Sequence, residues 1–180
     1  MIQLVEGIAA PDFSGINQKG ETISLSGFKG KKLILYFYPK DNTPGCTAES
    51  CNLNDNYEFW ISKGYEVVGI SPDSVASHQK FVEKFGLKFN LIADTSKEIL
   101  EAYGVWGEKV NYGKTYMGVI RTTFVIDEKG TIEKIFKKVD TKEHTDQIVK
   151  DLLIKYIFNH GKRRFAKDQQ RKAESPAAYN

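Results

Sequence analysis

The sequence predicts an α/β protein with a mixed central sheet and helices on both faces. Its middle region alternates apolar, β-branched segments with segments of helical periodicity, which is the order typical of parallel strands joined by helices. Short polar turns on either side of this region predict antiparallel hairpins that extend the sheet. A length of 180 residues, of which 41% are hydrophobic, suits one compact domain.

Five segments carry the continuous or alternating pattern of Val, Ile, Phe and Tyr that is typical of strands. They lie at 32–38, 66–71, 89–93, 120–126 and 131–136. Helical patterns lie at 47–62, 75–85, 97–103 and 143–158. In the last of these segments, Ile148, Leu152 and Tyr156 share one face of the predicted helix.

The order of these segments predicts the topology. Strand, helix, strand, helix, strand in the middle of the chain implies right-handed crossovers and a parallel core of sheet. The turn "DEKG" at 127–130 separates two later strands by a few polar residues, so we expect an antiparallel pair there. The turn "NQKG" at 17–20 predicts a second hairpin near the N-terminus. This combination is the architecture of thioredoxin-like proteins with an added N-terminal hairpin.

Charge and hydropathy narrow the possible locations and partners. The longest apolar run, at 33–38, has six residues, whereas a membrane-spanning helix needs about 20. The first residues lack the features of a signal peptide, so we expect a cytoplasmic protein. Residues 159–180 hold six basic and two acidic side chains. We expect a domain over 1–158 and an exposed or disordered basic extension over 159–180, with no membrane and no nucleic acid as partner.

Both cysteines lie in one stretch, "YPKDNTPGCTAESC" at 38–51. In a reducing cytoplasm such a pair is more often catalytic or redox-sensing than a structural disulfide. The preceding strand should end at Pro39 and a helix should begin close to Cys46, where unpaired N–H groups and the helix dipole favour a thiolate. Thr43 is near enough to direct its hydroxyl toward that sulfur, and Pro39 and Pro44 restrict the loop.

The spacing of the two cysteines sets a geometric limit. On an ideal helix, Cys51 lies about 140° round from Cys46 and roughly 7.5 Å further along the axis, a Cα separation of about 8.7 Å. A disulfide requires Cα atoms within about 7 Å. The two thiols can therefore join only if at least one turn of the helix unwinds.

Other uses of the cysteines remain open at this point. Free cysteines are often packing residues. A zinc site would have to be completed by His78, His144 or His160, none of which has ligand spacing to the pair. A protein thiol-disulfide oxidoreductase ordinarily has two residues between its cysteines, whereas this chain has four. A non-catalytic redox sensor could use the same switch to change a surface.

The stretch 38–51 resembles the active-site loop of the peroxiredoxins, in which a proline, a threonine and a cysteine are spaced as Pro39, Thr43 and Cys46 are. It is most similar to the Q-type branch, also called the bacterioferritin-comigratory proteins, in which a second cysteine follows at the position of Cys51. The stretch 103–130 resembles the same branch.

The resemblance extends over about residues 6–158. It includes "APDF" near the N-terminus and the arginine that the family places beside its active thiol, here Arg121. Alone, an arginine on a predicted strand would ordinarily be an exposed residue.

The resemblance implies a thioredoxin-dependent peroxidase. Cys46 would be the peroxidatic thiolate, Thr43 and Arg121 would orient and stabilise the reacting atoms, and Pro39 would shield the sulfur from water. Cys51 would resolve the resulting sulfenic acid as an intramolecular disulfide, which a thioredoxin-type partner reduces. No metal or organic cofactor is expected because sulfur carries the electrons. We expect a monomer or weak dimer.

Glu49 is an acidic residue between the two cysteines. Glu49 lies one turn after Cys46, where a carboxylate can complement the helix dipole. The sequence suggests no catalytic role for it.

Overall fold

A computed structural model describes residues 3–153 of the chain. It divides into two compact units, Met1–His144 and Thr145–Asn180. The second unit is helical over its described part, which ends at residue 153. Tyr156, the end of the helix predicted at 143–158, and the basic extension over 159–180 lie outside the described residues.

The first unit contains the following strands and helices. The strands are β1 Ser14–Asn17, β2 Thr22–Ser24, β3 Lys32–Phe37, β4 Tyr65–Ser71, β5 Asn90–Ala93, β6 Trp106–Asn111, β7 Lys114–Val119, β8 Thr122–Ile126 and β9 Ile132–Phe136. The helices are α1 Pro44–Asp55, α2 Tyr57–Ser62, α3 Val75–Phe85 and α4 Glu98–Ala102, with a 3₁₀ turn at Leu25–Phe28.

The main sheet has seven strands in the order β2-β1-β5-β4-β3-β8-β9. β3, β4 and β5 are parallel, while β8, β9, β1 and β2 pair antiparallel. The predicted parallel core is confirmed, and so are both predicted hairpins. In the turn between β8 and β9, the Asp127 side chain accepts hydrogen bonds from the N–H groups of Lys129 and Thr131, and Gly130 has the positive φ that this turn needs.

β3 occupies the centre of the sheet, and its residues from Leu33 to Phe37 are completely buried. Its side chains alternate between the two faces of the sheet, as in any strand. Leu33, Leu35 and Phe37 belong to one cluster that includes residues of α4 and β8. Tyr36, between them in sequence, bonds through its hydroxyl to Ser50 of α1 at 2.9 Å. β3 therefore positions the loop that follows it, because both of its faces are packed.

Two elements differ from the sequence-based expectation. The helix predicted at 47–62 begins at Pro44, because proline at the first helical position needs no hydrogen-bond partner for its nitrogen. It also breaks at Asn56, whose amide donates to the carbonyl of Asn52 and competes with the helical pattern. The hairpin of β6 and β7 was not predicted, and it forms a separate two-stranded sheet.

Between residues 3 and 153, no helix has both the length and the apolar character that crossing a bilayer requires.

Candidate active site

Cys46 lies in the first turn of α1, directly after the loop that leaves β3. Thr43 is the N-cap residue and has extended backbone angles, and Pro44 occupies the first helical position. The Cys46 side chain is 1% exposed and is a free thiol. The structure thus places this thiol at a helix N-terminus, as predicted. The local field of the helix favours negative charge on the sulfur.

Arg121 contacts the thiol from a position far along the chain. Its Nη2 donates to the Cys46 Sγ at 3.3 Å across a separation of 75 residues. The residue lies in the link between β7 and β8 and not on a strand, because β8 begins at Thr122. Gly45 leaves room for it: a Cβ atom there would be 3.3 Å from Nη2. The guanidinium therefore provides a fixed positive charge beside the sulfur.

Glu49 is a residue whose role the sequence did not indicate. Its carboxylate accepts a hydrogen bond and forms a salt bridge with Nη1 of Arg121, and its side chain is 0% exposed. Burial raises the pKa of Glu49 to about 7, although Arg121 acts in the opposite direction. One guanidinium thus contacts both Cys46 and Glu49, which lie one turn apart on α1. That spacing was the available signal, because residues i and i+3 share a helix face.

A second layer of side chains lies behind Glu49. His144 places Nε2 at 3.9 Å from Glu49 Oε1 and at 2.8 Å from the Thr123 hydroxyl. Both His144 and Thr123 are completely buried. Within the described part of the chain, Glu49 Oε1 has no hydrogen-bond partner. The carboxylate is therefore enclosed on this side by protein and not by solvent.

Arg121 keeps its charge in this environment. Burial lowers its pKa, but the neighbouring Glu49 carboxylate and Cys46 sulfur raise it, and the net effect is upward. The guanidinium is therefore a permanent cation at any pH at which the fold is stable.

Thr43 and Pro39 lie in the loop between β3 and α1. The Thr43 hydroxyl donates to the carbonyl oxygen of Lys40 at 2.9 Å, and Thr43 and Pro39 are both half-buried. With its hydrogen directed at Lys40, the hydroxyl still has lone pairs that can accept a hydrogen bond from a bound molecule. The direct contact between this hydroxyl and the Cys46 sulfur remains a prediction, as does shielding by Pro39.

Cys51 lies on the same helix as Cys46 and is also a free thiol. It is partly exposed, in contrast to Cys46. Burial raises the pKa of Cys51, and the nearby carboxylate of Asp55 raises it further. Because α1 continues unbroken from Pro44 to Asp55, the two thiols occupy the helical spacing that keeps them apart.

The site thus brings together Cys46, Arg121 and Glu49, with Thr43 at the N-cap of the helix that also carries Cys51. Among residues 3–153, no three His, Cys, Asp or Glu side chains are grouped so that they could hold a metal ion.

Comparison with known proteins identifies the family of the chain. The model of the AhpC/TSA family matches residues 7–135. Peroxiredoxin Bcp of Bacillus subtilis is 44% identical over 146 residues, which cover 81% of this chain and 93% of the relative. Peroxiredoxin Bcp of Escherichia coli is 42% identical over 149 residues, or 83% of this chain and 96% of the relative.

Solved structures show the same similarity. A structure of Xanthomonas campestris peroxiredoxin Q has a TM-score of 0.76 at 33% identity, covering 83% of this chain and 97% of that one. A structure of the bacterioferritin comigratory protein of the same organism, described for its alkyl peroxide reduction activity, has a TM-score of 0.76 at 32% identity and covers 83% and 98%. The predicted thioredoxin-like fold is confirmed by these matches. The chain therefore belongs to the AhpC/TSA family, and within it to the Q-type peroxiredoxins, which are thiol peroxidases.

Proposed function

We propose that this chain reduces hydrogen peroxide and organic hydroperoxides with Cys46 as the peroxidatic thiolate, Cys51 as the resolving thiol and thioredoxin as the reductant. The observation that carries the proposal is the 3.3 Å contact between Arg121 Nη2 and the sulfur of a buried cysteine at a helix N-terminus. Cationic and dipolar stabilisation of a thiolate is what a peroxide-reducing cysteine requires.

In the first step, the Cys46 thiolate attacks the distal oxygen of the hydroperoxide. An S–O bond forms and the O–O bond breaks, so that Cys46 becomes a sulfenic acid and the substrate leaves as water or an alcohol after taking up a proton. Negative charge moves from the sulfur to the leaving oxygen during this step. Arg121 is suited to stabilise both positions, because its guanidinium is already aimed at the sulfur and needs no reorientation.

Thr43 is assigned the orientation of the peroxide. Its hydroxyl donates to Lys40, which fixes the direction of its lone pairs and leaves them able to accept the O–H of a hydroperoxide. Pro39, half-buried in the same loop, is assigned the exclusion of water from the sulfur. Both assignments are supported by the position of the two residues in the loop that ends at the N-cap of α1.

In the second step, Cys51 attacks the sulfur of the Cys46 sulfenic acid. An S–S bond forms and water leaves, and the two-electron oxidation is now stored as an intramolecular disulfide. The helical spacing of the two residues forbids this bond while α1 is intact, so the step requires local unwinding. Unwinding also takes Cys51 out of its partly buried position, which removes the main cause of its raised pKa.

A dithiol partner of the thioredoxin type then reduces the disulfide and takes up the two electrons. We place the cycle in the cytoplasm, where such reductants keep thiols reduced. No metal or organic cofactor enters any step. The chain is proposed to act as a monomer or weak dimer, because both reacting cysteines lie on one helix and a partner subunit is not needed for resolution.

The test is peroxide consumption coupled to thioredoxin, thioredoxin reductase and NADPH. We expect steady turnover by the wild type and none by Cys46→Ser. Cys51→Ser should consume one equivalent of peroxide and then stop, because its sulfenic acid cannot be resolved. Turnover that survives in Cys46→Ser would falsify the assignment of the peroxidatic residue.

The same assay separates an efficient peroxidase from a slow redox sensor. The wild type should react with peroxide orders of magnitude faster than free cysteine does, since the thiolate and the leaving oxygen are both stabilised. A rate equal to that of the free amino acid would contradict the peroxidase mechanism and favour a sensor.

A further inference from the structure

A buried cluster of hydrogen bonds ties the loop 38–43 before α1, here called the catalytic loop, to α3. Asp41 lies between Pro39 and Thr43 in this loop and is 5% exposed. Its carboxylate accepts three hydrogen bonds: from the Tyr38 hydroxyl at 2.8 Å, from the Ser77 hydroxyl at 2.7 Å, and from His78 Nδ1 at 2.9 Å. The last two partners belong to α3.

Two hydrogen-bond acceptors face the two ring nitrogens of His78. The ring is 0% exposed, and its Nε2 lies 3.1 Å from the carbonyl oxygen of Ile92 in β5, which can only accept. Nε2 therefore carries a proton. Nδ1 faces the Asp41 carboxylate, which already receives two hydroxyl donors and can also only accept when ionised. When Asp41 is ionised, both ring nitrogens of His78 face groups that can only accept a hydrogen bond.

Asp41 is correspondingly the anion of the pair. Burial raises the pKa of Asp41, but the hydrogen bond and charge of His78, together with the hydroxyls of Ser77 and Tyr38, outweigh burial and hold the pKa below its ordinary value. Removing a charged pair from water costs desolvation energy, which can exceed the attraction between the two charges, so the pair need not stabilise the fold. What it does provide is a defined geometry, because the Asp41 carboxylate is held by the side chains of Tyr38, Ser77 and His78 at once.

Two further contacts fasten the same loop. The backbone N–H of Asp41 donates to Asp73 Oδ2 at 2.9 Å, and Lys84 Nζ of α3 donates to Asn42 Oδ1 at 3.1 Å. Asn42 has a positive φ of 56°, a conformation that a non-glycine residue keeps only when its surroundings hold it. The loop just before Thr43 is thus held to α3 through consecutive residues.

We propose that His78 is a positioning residue of the peroxidase reaction: as an imidazolium held between Asp41 and the carbonyl of Ile92, it fastens the loop that carries Pro39 and Thr43 in its peroxide-reactive arrangement. This inference rests on the proposed function of that loop. The cluster lies before Cys46 in sequence, whereas resolution needs unwinding after it. Loss of the cluster therefore disorganises the oxidation step and leaves the resolution step unhindered.

The test measures the two half-reactions separately by rapid mixing. Asp41→Asn and His78→Gln keep approximate shape and remove the charges of the pair. We expect both to slow oxidation of Cys46 on the order of 10- to 100-fold, as misplacement of a positioning group does. Disulfide formation from the sulfenic acid should be as fast as in the wild type or faster.

The matched control is Asp94→Asn. Asp94 is 4% exposed and accepts hydrogen bonds from the N–H of Leu100 and the hydroxyl of Ser96, remote in sequence from the catalytic loop. The Asp94→Asn substitution should lower the melting temperature of the protein and leave the rates of both half-reactions unchanged. Wild-type oxidation rates in Asp41→Asn and His78→Gln would overturn the proposal, and so would equal slowing of both half-reactions.

A measurement on the wild type does not depend on whether the variants fold. Ring ¹⁵N and ¹H NMR of His78 at neutral pH should show an imidazolium with two slowly exchanging N–H protons, and a neutral ring would overturn the proposal. If the wild type itself shows no oxidation of Cys46 by peroxide, the proposed function fails. If peroxide oxidises Cys46 in the wild type, and Asp41→Asn and His78→Gln react at the same rate as the wild type, the proposed function stands and only the role of His78 fails.

Discussion

The two cysteines have different surroundings in the structure. Cys46 is beside the Arg121 guanidinium and at the positive end of α1. Cys51 is further along the same helix, where burial and then the Asp55 carboxylate raise its pKa. The proposed order of reaction, with Cys46 first and Cys51 second, is consistent with this difference in surroundings.

The Arg121 guanidinium depends in turn on Glu49. Its Nη1 is held by the Glu49 carboxylate while Nη2 faces the sulfur. A long, flexible side chain that reaches the site from far along the chain needs such an anchor, since immobilising it costs conformational entropy. Glu49 is therefore a positioning group for the charge that acts on Cys46.

The raised pKa of Glu49, about 7, predicts an acid limb in the rate of Cys46 oxidation. Above this pH Glu49 is ionised and its carboxylate holds Arg121. As the pH falls through about 7, Glu49 takes up a proton and this ionic contact is lost. Glu49→Gln mimics the protonated form at every pH, so it should show the slower rate throughout and lack this limb. The measurement is the stopped-flow rate of Cys46 oxidation between pH 5 and 9. In the wild type we expect the rate at pH 9 to exceed the rate at pH 5 by on the order of tenfold.

Glu58→Gln is the matched control for this pH profile, because Glu58 lies on the exposed side of α2 and its carboxylate pairs with Lys88. It should keep the wild-type profile. An acid limb near pH 7 that persists unchanged in Glu49→Gln would remove Glu49 from the account.

At the scale of elements, α1 is built so that it can unwind. Among its residues, PGCTAESCNLND, Leu53 is the single large aliphatic side chain. Its burial stabilises the helix by about 1.5–3 kcal/mol, and the Ser50–Tyr36 hydrogen bond adds about 1 kcal/mol. A helix of 12 residues is marginal without tertiary support. Local opening of α1 is therefore inexpensive compared with opening of the sheet.

We predict that formation of the disulfide between Cys46 and Cys51 removes hydrogen-exchange protection from the amides of residues 47–54. These amides are hydrogen-bonded in the intact helix and lose their acceptors when it unwinds. Exchange is compared in the reduced and the oxidised protein by mass spectrometry, with α3, which has both an N-cap Ser74 and a C-cap Gly86, as the internal control. Equal protection of α1 in both redox states would show that the bond forms without unwinding.

At the scale of the whole molecule, the sequence was sufficient for the features that depend on local patterns. The parallel order of β3, β4 and β5 follows from the alternation of strands and helices, and the start of α1 near Cys46 follows from Pro44. The β6–β7 hairpin has no such pattern, because on a sheet of its own it exposes polar residues together with Val110, Tyr116 and Met117. No alternation of buried and exposed residues was available to reveal it.

The contacts that make the site could not be derived from spacing. Arg121 and Cys46 are 75 residues apart, and the family resemblance, not periodicity, paired them. Glu49 was missed because its role is defined by Arg121. His78 was considered only as a possible zinc ligand, whereas its partner Asp41 is 37 residues away. These pairs form only in the folded protein, where the loop before α1, α3 and the β7–β8 link come close together.

The most direct test of the central claim is to add one equivalent of hydrogen peroxide to the reduced protein and to map the products by mass spectrometry. The account predicts a disulfide between Cys46 and Cys51 within one chain in the wild type, and a sulfenic acid on Cys46 in Cys51→Ser. Oxidation of Cys51 while Cys46 remains a free thiol, or a disulfide formed between two chains, would contradict it.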